Sequence, residues 1–278
     1  MTPFGFDTPT TAERLGTIAP PLLEAGFDWI EIEDLADHPP AYWQMLNKIV
    51  ARYEPRLSVH CEYRHLAPAA QDAEIRDASL TVIRRGIDLA ARLGANIAVI
   101  HGGKCDVDGL PPESHPLHPL AMQLLSASRE QHHRRLRQVL PALADYAAAH
   151  CVRLTVENLF LPCDLLRSPD EMAVLLDGLE GQVGMCLDVG HAHVAGFEPQ
   201  AFVQALGARI WHVHVHGNDG QCDSHRTLAQ SDGALARSLP AVAAANPDAC
   251  LLFELTMSNY SPQAILADRE WLAEQLRA

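Results

Sequence analysis

Short β-rich runs alternate with longer Ala/Leu/Arg-rich stretches along the whole of this 278-residue chain, and that rhythm restricts the fold more than any other feature. Strands are expected at Phe4–Asp7, Asp28–Glu33, Arg56–Glu62, Asn96–His101, Arg153–Glu157, Gly184–Asp188, Ile210–His216 and Cys250–Leu255. Helical patterns fill the intervals at Thr11–Ala25, Ala41–Tyr53, Asp72–Leu93, Ser128–Ala149, Pro169–Leu179, Pro199–Leu206, Leu235–Ala245 and Pro262–Arg277. Some ends are marked: Ser168 ahead of Pro169 reads as an N-cap, and Gly94 stands where a helix should stop. Eight strands alternating with eight helices describe an α/β protein of the (β/α)8 TIM-barrel class, one domain over residues 1–278 with no linker or low-complexity tract. The competitor is a doubly wound open sheet, but "GFDTPT" after the first strand is no Gly-rich phosphate loop. The longest irregular stretch, Gly102 to Leu120, follows the fourth strand and would lie over the barrel's active end as a lid.

Composition narrows the partners. A formal net charge of −14 opposes a sequence-independent grip on nucleic acid or on an anionic membrane. Seven scattered cysteines without a CxxC pair read as reduced thiols. No signal peptide is evident, and no apolar run reaches the roughly 18 residues of a membrane span, so the expected location is cytoplasmic.

In a (β/α)8 barrel the chemistry projects from the C-terminal ends of the strands, and here those ends carry metal-type donors. Strand three ends on His60 and strand four on His101. Strand five ends on Glu157, and strand six on Asp188 with His191 in the following turn. Strand seven supplies His214, its loop supplies Asp223 and His225, and strand eight ends on Glu254. Taken alone, His60 or His101 reads equally well as a satisfied core histidine. Glu157, Asp188 and Glu254 each follow an apolar run, where an unpaired carboxylate is costly. Three carboxylates and several imidazoles at one mouth would repel unless cations neutralise them. Mixed oxygen and imidazole donors suit Mn2+ or Zn2+ better than Mg2+. Lys104, Arg64 and Arg226 lie near strand ends and could bind an anionic substrate or form surface ion pairs. Glu31 either lines the mouth on strand two or faces solvent, and His132, His133 and His150 read as surface residues of helices.

The segments "VEN", "LDVGH", "HVHVHGNDG", "DSH" and "FEL", in that order, resemble the xylose-isomerase-like TIM-barrel superfamily, which includes sugar isomerases and epimerases and the endonuclease-IV-type AP endonucleases. That resemblance implies a shared metal site at Glu157, Asp188, His214 and Glu254. In the epimerase branch the matching glutamates, Glu157 and Glu254, also serve as acid and base, and His191 contacts substrate oxygens. In the endonuclease branch three metals are bound, and the further ligands match His60, His101, His191, Asp223 and His225. His216 falls where the endonucleases carry asparagine, which leaves it facing substrate or supporting a ligand. "HRTLAQSDG" replaces the Pro–Leu–Gly–Glu–Gly stretch of many relatives, so the substrate loop is unusual.

Two readings follow. One is an isomerase or epimerase of a small sugar, polyol or hydroxy-carbonyl compound. The other is a multinuclear metal-dependent hydrolase of a phosphoester or amide, with DNA disfavoured by the charge. Both imply one to three divalent ions and a small-molecule substrate; a homodimer is compatible with either. A non-catalytic barrel is the third alternative, opposed by carboxylates of a kind usually tuned for acid–base work.

Overall fold

In the computed structural model, which describes residues 2–35, 38–107, 109–231, 233–255 and 261–276, eight parallel strands close into a barrel in the order β1 to β8. They are β1 (Phe4–Asp7), β2 (Trp29–Glu33), β3 (Arg56–His60), β4 (Ile97–His101), β5 (Arg153–Glu157), β6 (Val183–Asp188), β7 (Ile210–Val215) and β8 (Cys250–Phe253). The helices are α1 (Ala12–Glu24), α2 (Pro40–Tyr53), α3 (Ala73–Leu93), α4 (His118–Ala149), α5 (Pro169–Leu176), α6 (Val189–Val194), α7 (Pro199–Leu206), α8 (Gly233–Ala245) and α9 (Pro262–Gln275). The open-sheet alternative is excluded by the β1–β8 pairing, which joins Phe4 to Leu251 and Phe6 to Phe253. No helix among the described residues is long and apolar enough to cross a membrane, and all seven cysteines are free thiols.

Local chemistry accounts for the element ends. The Asp72 carboxylate accepts from the backbone of Glu74 and Ile75 to start α3, and Gly94, in the left-handed region at φ 68°, stops it. Ser168 caps α5 through the Glu171 amide, with Pro169 in its first turn.

Two helices differ from expectation. α4 begins ten residues before Ser128, at His118. Its first turns expose Leu120, Met122 and Leu124, so they lack the one-sided apolar pattern that betrays a helix in a sequence. α6 is only six residues long and starts because the Asp188 carboxylate accepts from the His191 amide at 2.6 Å. His132 also departs from its expected surface position. It is buried in α4, with Nδ1 donating to the Ser128 carbonyl at 2.8 Å and Nε2 3.2 Å from Asp106. The end of the last expected helix, Arg277, lies outside the described residues.

Two apolar layers hold the barrel. The larger lies between strands and helices and includes Phe6, Ile30, Ile32, Leu140, Leu154, Phe253 and Leu272. The smaller fills the lower half of the barrel itself with Trp29, Ile97, Val99, Cys186, Cys250 and Leu252, all from even-numbered strands. Filling a barrel in layers from alternate strands is the usual solution for this architecture. Above that plug the inward positions become polar. The interior thus has a dry floor and a charged mouth.

Candidate metal centre and active site

Period-two alternation turns one residue in two toward the barrel axis, and the register brings the donors side by side. His101 pairs with Glu157 across β4 and β5, and Asp188 pairs with His214 across β6 and β7. Glu157 is the hub. Its Oε2 accepts from Nε2 of His60 at 3.1 Å and of His101 at 3.0 Å. Its Oε1 accepts from Nδ1 of His214 at 3.2 Å and stands 3.3 Å from Nδ1 of His191.

Three groups of potential ligands share this mouth: His60, His101 and Glu157; Glu157, Asp188, His214 and Glu254; and His191, His216, Asp223 and His225. Glu157 belongs to two of them. The second group gathers around Nδ1 of His214, which is 3.2 Å from Oε2 of Glu254 and 3.9 Å from Oδ2 of Asp188. In the third, Oδ2 of Asp223 meets Nε2 of His225 at 3.0 Å and of His191 at 3.3 Å. His225 holds a left-handed backbone, φ 41°, which suits a residue fixed by its site rather than by its own preference.

Several observations test whether a divalent ion fits. Oε2 of Glu254 and Oδ1 of Asp223 are sealed from solvent and accept no hydrogen bond from the described residues, a state that normally costs free energy. The ion-pair partners of Glu157, Asp188, Asp223 and Glu254 among the described residues are imidazoles, not lysine or arginine. His60, His191 and His225 each turn Nδ1 to a backbone carbonyl, that of Cys61, Asn158 and Glu254, which directs Nε2 inward as a metal ligand requires. The donor set fits an ion.

Electrostatics without an ion are extreme. Burial opposes charging His60, but the carboxylates of Glu157, Glu31 and Glu254 outweigh it and lift the ring to about 9. Burial likewise opposes charging His225, yet Glu254, Asp223 and Asp188 lift it to about 10. Burial would raise Glu157 and Asp223; the imidazoles around them overcome it and hold both well below the ordinary carboxylate range. His101 is the exception, its ring pushed down chiefly by burial.

The cleft above these groups has a volume of about 320 Å3. Its polar lining includes Glu157, Glu254, His60, His101, His191, Asp223, His225 and Lys104. Leu159, Phe160 and Leu161 form an apolar wall, with Phe160 packed on the His191 ring at 4.9 Å. Of the stretch expected as a lid, Lys104 reaches the cleft, while Nδ1 of His115 accepts from the Leu117 amide and Nδ1 of His118, at the start of α4, donates to the Pro111 carbonyl.

Two expected substrate contacts are placed elsewhere. Arg226 turns to Asp219 at 3.3 Å and does not line the cleft. His216 is fully buried beneath the mouth, its Nε2 3.1 and 3.2 Å from the two Asp188 oxygens and its ring stacked on His225. That position exists because residue 190 is glycine: a Cβ there would lie 2.0 Å from the His216 ring.

Other contributors had no clear signal in the sequence. Tyr63 stacks on His101 with ring centroids 4.4 Å apart. Asn158, the last letter of "VEN", donates to the Asp188 carbonyl at 2.9 Å and accepts from the Asp188 amide at 2.8 Å, locking β5 to β6 at the mouth. Asp7 and Glu33 also border the cleft. Of the two alternatives for Glu31 the structure shows the first: it is buried, faces inward and borders the cleft.

A family model described as "xylose isomerase-like TIM barrel" matches residues 21–275. An uncharacterized protein of Methanocaldococcus jannaschii, MJ1311, is 26% identical over 227 residues, covering 79% of this chain and 72% of that protein. The crystal structure of a D-tagatose 3-epimerase-like protein superposes with a TM-score of 0.78 at 22% identity, covering 100% of this chain and 97% of that one. The TTHB071 protein from Thermus thermophilus, solved after soaking with ZnCl2, superposes with a TM-score of 0.67 at 26% identity, covering 98% of each chain.

Proposed function

Because the chain belongs to the xylose isomerase-like TIM-barrel family, we propose that it is a divalent-metal-dependent isomerase or epimerase of a small sugar or related polyol or hydroxy-carbonyl compound. The observation that carries this reading is the placement of Glu157 and Glu254. Both carboxylates approach the same nitrogen, Nδ1 of His214, at 3.2 Å, and both border the cleft. The likeness to an epimerase-like protein supports the same reaction class.

A bound Mn2+ or Zn2+ would lower the pKa of a proton α to a carbonyl by drawing on adjacent substrate oxygens. Glu157, Asp188, His214 and Glu254 would hold it. Glu254 is the more accessible carboxylate, its side chain 25% exposed against 1% for Glu157. It is therefore the group placed to take the proton from a substrate carbon. Glu157 would return one, passed to it from the imidazoles of His60, His101 and His214 that contact both its oxygens. Such acid–base groups each contribute roughly 10²–10⁴-fold. His191 and Lys104 border the cleft where they can donate to substrate oxygens, and Leu159, Phe160 and Leu161 offer an apolar surface to a carbon face. The test is exchange of the α-proton of a panel of ketoses with solvent deuterium. Glu157→Gln and Glu254→Gln should both abolish exchange, and near-wild-type exchange in both variants would sink the mechanism.

A second reading, a multinuclear hydrolase of a small phosphoester or amide, is favoured by one specific observation. The groups around His60 and around Asp223 offer ligands that a single-ion isomerase does not require. Hydrolysis of an activated phosphodiester, with no deuterium exchange into any ketose, would establish that reading in place of the first.

A further inference from the structure

His60, His191 and His225 share one mounting: Nδ1 donates to a backbone carbonyl at 3.1, 2.9 and 3.0 Å, and Nε2 faces the carboxylates of the mouth. His214 is mounted the other way round. Its Nδ1 faces Glu157 and Glu254, and its Nε2 lies 2.9 Å from Oε1 of Glu31. Oε2 of Glu31 is already committed, accepting from Ser58 Oγ at 2.8 Å and from His212 Nε2 at 3.0 Å. Glu31, Ser58, His212 and His214 are all buried. Three strands are needed to build the assembly, β2, β3 and β7, and it lies between the apolar plug and the charged mouth.

The arrangement matters because a neutral imidazole has one proton and two places to put it. Among the mouth carboxylates, the better hydrogen bond for His214 would place the proton on Nδ1, pointing at Glu157 and Glu254. A ring in that tautomer cannot ligate from Nδ1. A fixed negative charge behind the ring reverses the preference and draws the proton to Nε2. We propose that Glu31 is the positioning residue of the metal centre: its carboxylate holds the Nε2–H of His214 so that the Nδ1 lone pair is offered to a divalent ion shared with Glu157, Asp188 and Glu254. The proposal rests on the metal-dependent reading above.

Glu31, His212 and His214 could themselves be taken for a ligand set, since their donor atoms lie close together. The contacts favour a supporting role instead: Nε2 of His214 stands at ion-pair distance, 2.9 Å, from Oε1 of Glu31. Ser58 and His212 already occupy Oε2, and although Glu31 borders the cleft, both histidines are fully buried behind it. Carboxylate partners of this kind fix ring orientation and raise ligand basicity, and losing one typically costs 10–100-fold in metal affinity.

The experiment uses Zn2+ with the full-length protein. Competition against a chromophoric chelator should show Glu31→Gln binding Zn2+ roughly 10–100-fold more weakly than wild type. Ser58→Ala, which disturbs the same pocket but keeps the charge, should stay closer to wild type than to Glu31→Gln. Nitrogen-15 NMR of the histidines in zinc-loaded wild type should show His214 bound through Nδ1 and protonated on Nε2. That measurement stands even if Glu31→Gln fails to fold. Wild-type affinity in Glu31→Gln, or coordination of His214 through Nε2, would overturn the proposal while leaving the metal site intact. Absence of Zn2+ binding by wild type would overturn both.

Discussion

Exchanging Glu157 for Gln tests the shared geometry of the mouth most directly, because that carboxylate belongs to two of the three donor groups and Asp223 to only one. The variant preserves size and removes charge. In the ion-loaded protein it should eliminate the ions of both groups that Glu157 joins, whereas Asp223→Asn should eliminate one at most. In the ion-free protein, Glu157 sits within 3.3 Å of nitrogens of His60, His101, His191 and His214 while 1% exposed. Removing one partner from a buried ionic cluster costs about 3–5 kcal/mol. For a protein of this size each kcal/mol moves the melting temperature by about 2–4 °C, so the drop should be roughly 6–20 °C. Elemental analysis after gel filtration gives ions per chain, and differential scanning fluorimetry of the chelator-treated protein gives the melting shift. The reasoning is refuted if Glu157→Gln retains the wild-type ion count, or if Asp223→Asn loses as many ions as Glu157→Gln.

Other expectations are independent of that result. The ion-free protein should lose stability as pH climbs from near neutrality through 9 to 10, because His60 and His225 have raised pKa values in the folded state, so their contribution is complete below their unfolded value and vanishes above the folded one. The carboxylates Glu157 and Asp223 run the opposite way, stabilising above their unfolded pKa and losing that contribution in acid, and a pH series of thermal melts reads both limbs. Gly190→Ala should displace His216 from Asp188 and cost about 1–3 kcal/mol, measured by urea denaturation. Arg226→Ala, at a residue that pairs with Asp219 away from the cleft, should change turnover by no more than about twofold.

The strand-end carboxylates Glu157, Asp188 and Glu254 were legible in the sequence because each follows an apolar run, as Glu254 does after "CLLF". Glu31 was not legible. It sits in "WIEIED", where alternating acids describe a solvated edge as well as an inward face, and only closure of the barrel brings β7 across to β2. The two alternatives for His216, facing substrate or supporting a ligand, stay open in the sequence for a related reason. Alternation shows which way a ring points but not how deep it lies, and depth here depends on the missing Cβ of Gly190. The first turns of α4 were hidden because they project beyond the core, and a helix with no buried stripe leaves no periodic trace. The fold was therefore recoverable from local pattern, while the supports of the site depend on contacts between residues far apart in the chain, such as Glu31 and His212.

The dry floor of the barrel has a consequence for the order in which the protein matures. Trp29, Ile97, Val99, Cys186, Cys250 and Leu252 can pack as soon as the even strands align, without waiting for anything to neutralise the layer above. Small metal-dependent domains must recruit their ion in order to fold. On the metal-dependent reading proposed above, a floor that packs by itself would let this chain build the receptacle first and load it afterwards. Ion exchange would then need no unfolding, and the metal carried would follow from supply at the moment of loading and from the order of intrinsic affinities. One polypeptide purified from two growth media should accordingly arrive with the same barrel and a different metal complement.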